Sequence, residues 1–175
     1  MRAATAFVFL LLLSCGDDAK LELAFPEPVV IPTPDLSSLS KPGPSCGSWV
    51  VSRSNADGSL ALLVQTRQGK PPAVGAVDTQ THPLTDDGPI QVKLWQGMHV
   101  TGSTCTDLPE ADMEITRRWT ATAGTATVVV TGPRSADMPN YGVKVTLEGV
   151  TLTHGETVLT LPTTTVNGGV GWYPG

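Results

Sequence analysis

Little in this chain is charged or aromatic. Charged residues make up 15% and aromatic residues 5% of its 175 positions, and no block of like charge occurs. That excludes a basic nucleic-acid-binding surface, a charge-patterned coiled coil and a chain kept disordered by its own charge. The net charge of −5 is modest and selects no partner. No apolar run reaches the roughly 18 residues of a membrane-spanning helix. Histidine is scarce as well. His82, His99 and His154 lie far apart, none with a second His or Cys at metal-ligand spacing, so neither metal nor cofactor is expected.

Sequence signatures of catalysis are equally thin. Gly102-Ser103 lacks the second half of a nucleophile elbow. Gly169-Val170-Gly171 begins like a dinucleotide loop, but Trp172-Tyr173-Pro174 follows, where no helix can start. The acidic string Asp107, Glu110, Asp112, Glu114 lacks the alternating spacing and the glycine of a calcium loop and reads as a solvated acidic segment.

What is present begins at the N-terminus. Residues 1–15 read MRAATAFVFLLLLSC: Arg2, an apolar stretch from Ala3 to Leu13, then Ser14 and Cys15. The stretch has the length of a signal-peptide core. Leu12-Leu13-Ser14-Cys15 resembles the lipobox of bacterial lipoproteins. The resemblance implies that residues 1–14 are a cleaved signal and that Cys15 carries the lipid. Two or more acyl chains hold a protein on a bilayer stably, at about 0.8 kcal/mol per buried CH₂. The membrane would then be a partner through Cys15 alone. In the enterobacterial form of that family Asp directly after the cysteine favours the inner membrane. Gly16 stands there, which tips the expectation to the outer membrane of the cell envelope.

Residues 15–45 read as the lipidated cysteine and a flexible Pro/Ser-rich linker. Pro26, Pro28, Pro32, Pro34, Pro42 and Pro44 punctuate it, and proline disfavours helix in the residue before it. The alternative is a first edge strand over Phe25 to Ile31. Three cysteines are odd for an exported protein. Lipidation of Cys15 would leave Cys46 and Cys105, an even pair expected to form a disulfide in an oxidising compartment.

From Cys46 to the end, residues 46–175, the dominant period is two. Ile90, Val92 and Leu94 alternate with Gln91, Lys93 and Trp95, and Val143, Val145 and Leu147 with Lys144, Thr146 and Glu148. Each is a half-buried strand. Further strands are read at Trp49–Ser52, Leu60–Thr66, Ile115–Thr122, Ala126–Thr131, Val150–Thr153 and Val158–Leu161, separated by turn signals at Asp57-Gly58, Ala123-Gly124, His154-Gly155 and Asn167-Gly168. The apolar phase is odd-numbered through Leu147 and even-numbered at Val150 and Leu152. A one-residue slip reverses every side chain, so a bulge is expected at Glu148-Gly149. Asp107 to Glu110 resembles a helix cap and predicts a turn or two. The expected fold is all-β: an antiparallel β-sandwich of eight or nine short strands. The stretch from Trp119 to Pro174 resembles β-rich domains of bacterial lipoproteins, a likeness that carries no activity.

Trp95 lies on the wet phase of its strand. An exposed aromatic there can stack on a sugar ring or anchor a partner protein; the alternative is that loop Gln68–Pro89 covers it, or that this long loop hides a strand such as Ala73–Val77. The functional expectation is an envelope lipoprotein whose non-catalytic sandwich domain binds or supports an envelope protein or glycan, not nucleic acid. The alternative is a lipid-anchored hydrolase with a dispersed site.

Overall fold

The computed structural model describes residues 32–47, 50–66, 72–101, 105, 112–135 and 140–171. The signal segment, Cys15 and residues 25–31 lie outside them, as does the helical hint at 107–110. The chain divides after Pro32, and the unit Thr33–Gly175 holds every described strand. It is all-β: one antiparallel sheet of nine strands folded into a sandwich-like body. In chain order they are β1 Lys41–Cys46, β2 Val50–Ser54, β3 Leu60–Thr66, β4 Val77–Pro83, β5 Ile90–Met98, β6 Glu114–Thr131, β7 Tyr141–His154, β8 Thr157–Leu161 and β9 Thr164–Val170. A single 3-10 turn at Leu36–Ser38 precedes them, capped by the Asp35 carboxylate, which accepts from the Ser37 amide at 3.0 Å.

Two strands build both layers. β6 pairs with β5 through its first half, up to Thr120, and with β4 from Thr125 onward. β7 pairs with β9 over Tyr141 to Leu147 and with β8 over Val150 to His154. The two pair with each other along most of their length, interrupted between Ala121 and Thr125. One layer is therefore β1-β2-β3-β5-β6-β7-β8 and the other β4-β6-β7-β9. At the bend Gly124 has φ 116 and Gly149 φ 59, angles that favour glycine. The buried phase slips in both strands. It moves from Val143, Val145 and Leu147 to Val150 and Leu152 in β7, and from Trp119 and Ala121 to Ala126, Val128 and Val130 in β6. The expected bulge at Glu148-Gly149 is there, since Thr125 faces Glu148 but Ala123 faces Thr151.

Several boundaries differ from the sequence reading. Ala123-Gly124 is not a turn between two short strands: the chain continues through the bend as one 18-residue strand, its register with β7 shifting on both sides of Ala123. Asn167-Gly168 lies inside β9. Residues 41–45, placed in the linker, make up most of β1. An edge strand tolerates Pro42 and Pro44 because only one side of it needs donors, and the ladder is irregular between Pro42 and Ser45. The strand within loop 68–89 is Val77–Pro83 rather than Ala73–Val77.

The main core fills the space between the layers, with Trp119, Leu62, Leu94, Leu147, Leu152 and Leu161 fully enclosed. Burying one such Leu contributes about 1.5–3 kcal/mol. β3 is buried on both sides. Leu60, Leu62 and Val64 join the main core, while Ala61 and Leu63 join a second cluster with Val50 and Val100 on the far side of the sheet.

Candidate functional site

Trp95 belongs to that second cluster. It stands between Ala61 of β3 and Arg118 of β6 and packs half-buried with Cys46 and Ile115 against Val50, Leu63 and Val100. The Arg118 guanidinium lies 5.8 Å from the ring centroid, within cation–π range. One flank of the indole is thus taken, and the ring closes a small apolar cluster. Among the described residues of loop 68–89 none joins this cluster, and its strand β4 pairs with β6 elsewhere. The cover is the turn after β5. There Val100 is fully buried, and its amide donates to the Gly58 carbonyl at 3.0 Å, as does that of Gly97 to Ser59 at 2.9 Å. Cys46 and Cys105 are joined by a disulfide with Cα atoms 5.6 Å apart, which ties this turn to the end of β1.

The histidines occupy three separate places. His82 Nε2 meets the Gln80 carboxamide at 3.2 Å on β4, and the Gln80 amide donates to Asp78 at 2.7 Å. His154 Nδ1 donates to the Arg118 carbonyl at 2.8 Å, its ring 5.7 Å from that of Trp119. His99, with φ 51, pairs through Nδ1 with Asp112 at 2.8 Å. Asp112 therefore clasps the turn rather than joining an acidic calcium site, while Glu114 opens β6. Among the described residues no group of three His, Cys, Asp or Glu converges.

The hydrogen bond from His99 holds the Asp112 carboxyl below its ordinary range. A depressed carboxylate contributes stability above that range, which is lost as the pH falls through its folded value. Acidification should therefore loosen this turn. Amide protection at Gly97 and Val100 should drop several-fold in wild type, and Asp112→Asn should start lower and fall less, its remaining pH dependence coming from Asp57, whose carboxylate braces Ser59 beside these bonds. Hydrogen exchange followed by mass spectrometry checks this, and equal protection in both proteins at every pH would refute it.

The outer face of the β4-β6-β7-β9 layer is a regular surface four strands wide. Cross-strand rows run Thr79–Val129–Lys144–Asn167 and Thr81–Thr127–Thr146–Thr165. Adjacent hydroxyls meet at 3.1 Å between Thr81 and Thr127 and at 3.5 Å between Thr146 and Thr165. A shallow hollow of about 360 Å³ lies over Val129, Lys144 and Asn167, kept open by the cross-strand pair Gly142 and Gly169. Beside it β9 meets β1 and β2 without a ladder. Side chains bridge the gap: Ser45 Oγ donates to the Gly169 carbonyl at 2.6 Å and Arg53 Nη1 to the Thr165 carbonyl at 2.9 Å. A cleft of about 70 Å³ opens there. The sequence signal for this seam is a charge on a core phase: Arg53 follows Val51 by two and faces the buried Leu62.

Comparison of the chain with protein-family models, characterised proteins and solved structures finds no match.

Proposed function

We propose that this chain is a bacterial envelope lipoprotein, anchored by acyl chains on Cys15 and carrying a non-catalytic β-sandwich domain that binds or supports an envelope protein or glycan. The observation that carries the reading is Leu12-Leu13-Ser14-Cys15 closing an apolar leader. Support comes from the disulfide. It accounts for two of the three cysteines and suits an exported, oxidising setting, leaving Cys15 for the lipid. The outer membrane is the favoured location, from Gly16 following the cysteine. The test is labelled palmitate fed to expressing cells. The wild-type chain should take up label and partition into detergent, whereas Cys15→Ala should lose all label and keep its leader. Undiminished label in Cys15→Ala refutes the assignment.

A further inference from the structure

The seam between β9 and the β1–β2 hairpin carries an arginine that no acid among the described residues neutralises. Arg53 sits on the inward phase of β2, yet the layer ends there and its guanidinium emerges between the two layers. Nη1 donates to the Thr165 carbonyl at 2.9 Å and Nη2 reaches the Ser40 carbonyl at 3.5 Å. A guanidinium has five donors, so most of its capacity is unspent, and among the described residues no carboxylate pairs with it.

The cleft beside it, about 70 Å³, is lined by Ser40, Ser52, Thr165 and Asn167, and no acidic residue contributes. The Ser52 hydroxyl is committed to the Pro44 carbonyl at 2.6 Å. The Ser40 hydroxyl and the Asn167 carboxamide make no hydrogen bond to the described protein. Lys144, in register with Asn167 on the outer face, adds a second positive charge nearby in a chain whose net charge is −5. A half-buried cation without a counter-charge is costly, and the planar guanidinium fork matches a carboxylate or phosphate in two parallel bonds. The volume, room for roughly two waters, fits one such group.

We propose that this seam binds a single oxyanion group, a carboxylate or phosphate, held by the unspent N–H groups of Arg53 with the Ser40 hydroxyl and the Asn167 amide. The proposal does not rest on the lipid anchor: loss of acylation and loss of anion binding are read by separate measurements.

Titrating the purified full-length chain with inorganic phosphate, acetate and a galacturonate oligomer, and following backbone amide shifts, tests it. Saturable shifts at Ser40, Thr165 and Asn167 are expected. Response to phosphate alone assigns a phosphate site, and a stronger response to the oligomer than to acetate assigns a carboxylate borne by a glycan. Arg53→Gln should weaken binding roughly tenfold or more. Because Arg53 also bridges to β9, Asn167→Asp serves as the second variant: it is exposed, keeps the fold, and offers Arg53 an internal carboxylate, so it should weaken binding to a similar degree. No saturable shift with any of the three ligands, or shifts undiminished in Asn167→Asp, overturns the proposal.

Discussion

Gly124→Ala should cost the fold about 3 kcal/mol, from strained backbone plus overpacking, and Gly149→Ala only about 1 kcal/mol. Both glycines have positive φ, 116 and 59, but only the second lies in the left-handed region that side-chain-bearing residues enter. Their surroundings differ. A Cβ on Gly124 would stand 2.8 Å from Val150 Cα, 2.9 Å from the Gly149 carbonyl oxygen and 3.0 Å from that of Glu148. Those are backbone atoms of the partner strand, held in place by the ladder on either side, and they cannot rotate away. A Cβ on Gly149 meets nothing within 4 Å. Its φ also lies in the region that Asn accepts, so Gly149→Asn should cost less than Gly149→Ala. Urea midpoints at constant slope provide the measurement. A Gly124→Ala protein as stable as Gly149→Ala would show that the strands do not cross closely there.

The Cys46→Ala/Cys105→Ala double variant should lose roughly 4 kcal/mol on the loop-entropy account, since the bond spans a sequence separation of 59. Against a typical domain stability of about 5–15 kcal/mol that is a large fraction, equivalent to a fall in Tm of roughly 15 °C. The loss should also be local. Cys46 packs with Trp95 and Ile115 on Val50, Leu63 and Val100, so the far-side cluster should loosen before the main core, and Trp95 emission should shift red while that of the enclosed Trp119 does not. Unchanged Tm in the double variant would mean that the turn after β5 holds without its covalent tie.

The all-β class was legible in the period-two alternation of Ile90 to Trp95 and Val143 to Glu148, and the bulge at Glu148-Gly149 in the phase slip between Leu147 and Val150. Val and Thr on a pleated surface leave such marks because only one face of each segment is wet. The parallel slip in β6 was misread, because Ala123-Gly124 has turn chemistry and a glycine of positive φ serves a turn and a bulge equally well. β4 was placed too early because its inward positions, Asp78, Gln80 and His82, are polar; at an edge the alternation that announces a strand is not required. β1 was hidden by its prolines. The seam and the cover over Trp95 were illegible for another reason. They join residues far apart in sequence, Arg53 to Thr165 and Gly58 to Val100. The hint was the unbroken apolar run Leu60 to Val64, since a strand without a wet face must be covered twice.

The position of Cys46 has a mechanical meaning. β1 is the outermost strand of its layer and the first that a pull from the N-terminal side would load. Tension would unzip it from β2 pair by pair, from Lys41 opposite Ser54 towards Cys46 opposite Val50. At Cys46 the load leaves the ladder for a covalent bond to Cys105, and β2 to β5, which lie within the bridged loop, are shielded from it. Peeling is thereby limited to six residues, and the sandwich behind them behaves as a body hung from a sulfur bridge.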